Sequence, residues 1–220
     1  NTAVGGLALT ANTTGSNNVA VGNYSLDANT TGAFLCAFGY ASLSKNTTAN
    51  NNTAFGHTTL AENTTGSENT AVGRLSLYEN TTGNNNVAMG YNAMQANTTG
   101  IKNVAVGNYA LDANTTTNSN TAVGYNVLSA NTAAENTGIG RQALLSNTTG
   151  TMNVAVGAYA FDANQGGSAN TCIGFNAGTA FTSDGITAIG KDALESCTTG
   201  NNTAVGANSL AAVTTGSQNT

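Results

Sequence analysis

The sequence predicts an all-β fold, a parallel β-roll or β-solenoid of about thirteen 17-residue coils, and three observations predict it. Glycine recurs at Gly5, Gly22, Gly39, Gly56, Gly73, Gly90, Gly107, Gly124, Gly140, Gly157, Gly174, Gly190 and Gly206, a period of 17 residues that shortens to 16 after Gly124, Gly174 and Gly190. An apolar residue precedes every one of these glycines, and a second stands four positions after each of them except Gly174. Between copies runs a polar segment, most often Asn-Thr-Thr-Gly. The period is too short for a helix-turn-helix or propeller-blade repeat and matches one coil of a solenoid, whose units bury apolar surface only by stacking on neighbours.

The elements follow from counting columns from Asn1. The unit reads N-[TV]-A-V-G-x-x-small-L-x-x-N-T-T-G-x-x. Columns two to five, as in Thr2 to Gly5, read as a short strand; column four shares a face with column two, and the alanine of column three points the other way with the glycine. Columns eight and nine, as in Ala8-Leu9, read as a second short strand. The large residues of columns four and nine are expected to fill the coil. The small face of Ala and Gly is expected to turn outward, where a bare backbone lets a sister chain approach.

The Asn-Thr-Thr-Gly segment is expected to turn, because Asn caps its own backbone and Gly suits the fourth position of a type I turn. Where a coil has 16 residues, as in the copies containing Asn131 to Glu135 and Phe181 to Gly185, the missing residue falls between column twelve and the next copy. This turn therefore lies at the surface. Asn repeated at columns one and twelve is expected to form amide ladders between coils.

Composition narrows function. Only 7% of residues are charged and the net charge is −5, so there is no basic stripe for nucleic acid and no polybasic segment for anionic lipid. No apolar run approaches the roughly 20 residues that span a bilayer. The chain starts at column one and stops two residues into a fourteenth copy, so residues 1–220 are expected to be one continuous array cut from a longer fibre.

No constellation for chemistry is apparent, and neither enzyme activity nor a cofactor or metal is expected. Cys36, Cys172 and Cys197 stand at columns two, three and twelve of distant copies, which is neither a disulfide framework nor metal spacing, and they read as small buried side chains. His57 lacks partners for a triad. Glu62 and Glu79 share column eleven in consecutive copies, with backbones about 4.8 Å apart, and read as exposed carboxylates rather than a glycosidase pair. Asp27, Asp112 and Asp162 share column ten without a calcium-binding nonapeptide. The most variable chemistry lies just after the glycine, where Tyr24, Tyr40, Tyr91, Tyr109, Tyr125 and Tyr159 are candidate surface contacts for glycan or protein.

The strings Asn18-Val19-Ala20-Val21-Gly22 and Asn202-Thr203-Ala204-Val205-Gly206 resemble the head repeats of trimeric autotransporter adhesins, and Asn120 to Tyr125 is similar to the Asn-Thr-Ala-Val-Gly-Tyr arrays of phage tail-fibre-like proteins. The resemblance covers all thirteen copies and implies a left-handed roll, three parallel chains and a role in attachment to cells. The adhesin heads use somewhat shorter coils, and the extra residues here fall in the turn. The expected partner is the chain itself, as an extracellular homotrimer, with a cell-surface glycan or protein as a further one. A spacer segment of a fibre is expected first, an adhesin that binds through its lateral surface second, and an ice-binding solenoid, suggested by the Thr pairs, third.

Overall fold

The computed structural model describes all 220 residues, Asn1–Thr220, and contains no helix. It is a parallel β-solenoid in which each copy contributes one coil and one three-residue strand. The chain forms two compact units. Asn1–Thr116 holds β1 (Thr2–Val4), β2 (Val19–Val21), β3 (Cys36–Phe38), β4 (Thr53–Phe55), β5 (Thr70–Val72), β6 (Val87–Met89) and β7 (Val104–Val106). Thr117–Thr220 holds β8 (Thr121–Val123), β9 (Thr137–Ile139), β10 (Val154–Val156), β11 (Thr171–Ile173), β12 (Thr187–Ile189) and β13 (Thr203–Val205).

Within each unit consecutive strands pair in parallel, column on column: Thr2 lies beside Val19, and Val87 beside Val104. The register survives the short coils. Thr121 pairs with Thr137, Thr171 with Thr187 and Thr187 with Thr203, each 16 residues on, so the length difference is absorbed outside the strand.

The faces are the reverse of those expected. Column three points inward: Ala20, Ala37, Ala54, Ala71, Ala88 and Ala105 are fully buried. Column four points outward, with Val4, Phe55 and Val205 57%, 56% and 67% exposed. The coil interior is too thin for two bulky rows. The column-nine side chains, leucine except at Met94, Phe161 and Gly178, are buried from Leu26 to Leu194 and share the interior with the column-three alanines and the column-eight Ser, Ala, Thr or Val. Where column eight is Ser, its hydroxyl donates to the column-three carbonyl of the next coil, as from Ser25 to Ala37 at 3.2 Å and from Ser76 to Ala88 at 2.9 Å.

Columns eight and nine are not a strand. They belong to a turn in which columns seven and nine both adopt the left-handed conformation: Leu26, Leu43, Leu60 and Leu77 have φ of 52–54°, and Tyr24, Ala41, Thr58 and Leu75 have φ of 50–59°. Column seventeen does the same at Asn17, Asn51 and Asn85. Non-glycine residues pay about 1–2 kcal/mol each in this region. The bend returns in exchange a leucine aimed across the coil, and the turn backbone bonds from coil to coil, as from Leu26 N–H to the Ser42 carbonyl at 3.1 Å.

The glycine row has φ of 123–144° throughout, and its close neighbour is the next coil of the same chain, not a sister chain. A Cβ on Gly90 would sit 2.6 Å from the carbonyl carbon of Gly107. This is a distance no side chain tolerates, which explains why the row admits nothing else.

Two asparagine rows fill the remaining polar interior. In column twelve the typical amide nitrogen donates to the preceding coil's Asn Oδ1 and to the carbonyl three residues on; Asn29 does so to Asn12 at 2.8 Å and to Gly32 at 3.0 Å, while Asn131 donates to Ala133 two residues on. In column one the Oδ1 accepts the next coil's backbone N–H while the NH2 reaches the column-fifteen carbonyl, as Asn69 does with Asn86 and Gly83. The expected ladders are thus present and buried. The turn is closed by the amide donating to Gly C=O.

Two departures from the repeat compensate locally. Gly138 replaces the column-three alanine, and a Cβ there would lie 2.6 Å from Val127 Cγ1, the branched residue that takes the vacated space from column eight. Gly178 replaces the column-nine leucine. Its place is filled by Phe161, Phe181, Ile186 and Cys172: Phe161 and Phe181 stack at 6.3 Å, and Cys172 Sγ and Ile186 Cδ1 lie 2.7 and 3.1 Å from where a Cβ on Gly178 would be.

Candidate functional site

Because columns two and four point outward, each unit presents a continuous strip along its strands, made of Thr, Val, Cys36, Phe38, Phe55 and Met89 in the first and of Thr, Val and Ile in the second. A long apolar strip on an otherwise polar surface marks a face that contacts something. Beside it, across the glycine row, runs the variable row of columns six and seven. In the third and fourth coils Phe38 and Phe55 stack at 5.3 Å on one side of the glycine row and Tyr40 and His57 at 5.1 Å on the other. Together with Val21, Gly39 and Gly56 they line an open, mostly apolar groove of about 420 Å³.

The six tyrosines do not converge on one site. Tyr24 meets Tyr40 edge-on at 5.9 Å, Tyr91 meets Tyr109 edge-on at 5.4 Å, and Tyr159 meets Phe175 edge-on at 6.0 Å. Arg74 and Arg141 lie over Tyr91 and Tyr159 at 5.5 and 4.4 Å. Each ring packs on the coil next to it, so faces are partly spent on neighbours and edges and hydroxyls are what remain. Tyr24, Tyr40 and Tyr125 are the most open of the six, at 37%, 47% and 49% exposure.

The ionisable groups are dispersed. His57 is exposed and shares a 3.1 Å contact with the Thr58 hydroxyl as well as its stack on Tyr40. Glu62 pairs with Lys45 of the preceding coil at 2.6 Å, an exposed pair of small energetic consequence. No group of three or more His, Cys, Asp or Glu side chains comes together. Asp27, Asp112 and Asp162 are partly buried, and desolvation raises each above the ordinary carboxylate value against the opposing effect of backbone hydrogen bonds. One oxygen of Asp27 and one of Asp112 are enclosed with no hydrogen-bond partner. Each of these aspartates stands three residues after a column-seven tyrosine, Tyr24, Tyr109 and Tyr159, a pairing the sequence displays openly.

All three cysteines are free. Cys172 and Cys197 are buried as expected, and burial pushes the Cys172 thiol far up. Cys36 differs: column two faces outward, and it is half-buried on the strip. The face reversal also moves the surface that sequence reasoning assigned to a sister chain. The Ala and Gly rows are inside the coil or against the next one, and the strip of columns two and four is what remains uncovered. No protein-family model, curated protein or solved structure matches the chain.

Proposed function

We propose that this chain is a structural segment of an extracellular homotrimeric fibre, a phage tail fibre or bacterial surface fibre, that serves attachment to cells or surfaces. The observation that carries this reading is the outward apolar strip. The coil interior is complete without it, so the strip contributes nothing to the coil's own core, and a parallel sister chain with the same repeat would cover it column by column. The resemblance of the Asn-x-Ala-Val-Gly strings to adhesin heads and fibre arrays supports the same reading, as does a monotony that suits a spacer.

Light scattering at micromolar concentration should give three times the chain mass, and Phe55→Glu together with Val72→Glu should reduce it to one while leaving the β-sheet circular dichroism intact. A wild-type monomer stable at that concentration sinks the proposal.

The second reading, a lateral surface that itself binds glycan or protein, draws on the groove between Phe38, Phe55, Tyr40 and His57. Glycan-array or cell binding by this segment alone, abolished by Tyr40→Ala with folding retained, would promote it over the spacer.

A further inference from the structure

The chain contains eleven Asn-x-Ser/Thr acceptor sequences for Asn-linked glycan, a motif of secreted surface loops. Eight are the turn itself, Asn-Thr-Thr at column twelve in each of the first seven coils, Asn12 to Asn114, and at Asn147. The other three begin at Asn23, Asn51 and Asn201. The fold treats the two sets oppositely. Seven of the eight turn asparagines, all but Asn12, are fully enclosed, whereas Asn23, Asn51 and Asn201 are exposed.

Burial alone would only close the sites once the chain has folded. The ladder does more. Transfer forms a bond between the sugar C1 and Nδ2, breaks the sugar's bond to a lipid pyrophosphate, which leaves, and removes one of the two amide protons. Both protons are in use: Asn46 donates one to Asn29 Oδ1 at 2.9 Å and one to the Ala49 carbonyl at 3.2 Å, and Asn63 and Asn80 repeat the pattern. A glycan on Nδ2 therefore deletes a rung and places a bulky polar group where the preceding coil must stack.

We propose that Asn-linked glycosylation and coil formation are mutually exclusive at the seven enclosed column-twelve asparagines of acceptor sequences, Asn29 to Asn114 and Asn147. The chain is thus suited to folding where no oligosaccharyltransferase meets the nascent polypeptide, and the exposed Asn23, Asn51 and Asn201 accept glycan compatibly with the solenoid. This inference rests on the buried ladder and stands whether or not the fibre reading does.

The test directs the 220-residue chain through a eukaryotic secretory pathway, beside a bacterial cytosolic preparation as the folded reference. One arm adds tunicamycin. Another uses a variant with Thr→Ala at the third position of all eight turns (T14A, T31A, T48A, T65A, T82A, T99A, T116A and T149A), exposed residues whose loss removes the acceptor sequence and leaves every Asn in place.

Wild-type chain is expected to carry glycan at the turns and to be lost from the secreted, protease-resistant fraction. Both the inhibitor and the variant should restore that fraction, with glycan in the variant confined to Asn23, Asn51 and Asn201. Mass spectrometry finding glycan on Asn46, Asn63 or Asn80 of a protease-resistant chain overturns the proposal. Secretion of folded wild-type chain bare at those turns would uphold the exclusion and overturn the inference that the chain suits a compartment without the transferase, and failure of the variant to be secreted when its bacterial counterpart folds would overturn the exclusion itself.

Discussion

At the scale of the residue, the glycine row combines two demands, a φ that side chains avoid and a backbone against which no Cβ fits. Gly190 and Gly206 separate them. Both have φ near 130°, at 133° and 126°, but a Cβ on Gly190 would be 2.5 Å from the Gly206 carbonyl, while nothing lies within 4 Å of one on Gly206. Gly206→Ala should therefore cost only the conformational strain, about 1–3 kcal/mol, and Gly190→Ala should cost that plus an overpacking cost of about 1–3 kcal/mol. Thermal melting of the pair measures the difference, and equal losses would show that close approach contributes nothing.

The left-handed row makes the converse prediction. Thr58, β-branched at φ 51°, is the least suited of the column-seven residues to its conformation. Thr58→Asn should stabilise by about 1 kcal/mol, since Asn tolerates this region; a lower melting temperature would show that the Thr58 hydroxyl bond to the His57 carbonyl outweighs the strain.

The aspartates give a pH dependence. Burial raises Asp112 above its unfolded value near 3.9, so the native state holds the proton more tightly. Stability is then full below the unfolded value and falls as pH rises through the native one. The melting temperature should decline as pH rises from the unfolded value, near 3.9, through the raised native one, and Asp112→Asn should lessen the decline.

At the scale of the element, the coil was legible in part. The period, the strand at columns two to four, the turn at column twelve and both asparagine ladders follow from residue types whose physics is local. Which strand face points inward does not, because a three-residue strand carries only one alternation, and large-in or small-in both satisfy it. The deciding quantity is the thickness of the coil, set by the opposite limb. That limb was misread as a strand because leucine has no preference for the left-handed region. The available signals were the asparagines of column seven, Asn92, Asn126, Asn176 and Asn208, and the lone Gly178 in column nine, all at φ of 53–65°.

The Gly138 and Val127 exchange tests whether the interior is packed as tightly as it looks. Gly138→Ala alone should destabilise by about 1–3 kcal/mol, and adding Val127→Ala should recover most of that by restoring the pair found in other coils. Additive losses would mean that the two positions do not share space.

At the scale of the whole molecule, nearest-neighbour stacking means that complete coils are interchangeable. Deleting Asn52 to Asn85, two coils of the first unit, should leave a folded chain with the melting behaviour of the parent, whereas deleting Asn52 to Ala61 should unfold the coils that flank it. The cysteines report on the outer face. In a separated chain only Cys36 should react with a thiol reagent before unfolding, because Cys172 and Cys197 are fully enclosed. In an assembly that covers columns two and four Cys36 should be protected too, and three reactive thiols in the native chain would contradict the packing.

The column-twelve ladder has one more property. Each donor points from a coil to the coil before it, from Asn29 to Asn12, Asn46 to Asn29 and Asn63 to Asn46 in the first unit, and from Asn147 to Asn131 and Asn164 to Asn147 in the second. The amide dipoles within a unit are thus aligned instead of cancelling, and each rung polarises the next in the same sense. Each run of the ladder consequently has an electrical direction as well as a chain direction: its leading end offers N–H groups and its trailing end, Asn164 in the second unit, offers an amide oxygen. A coil inserted in the reverse sense would meet donor with donor, so the array can be lengthened, shortened or permuted, but never inverted.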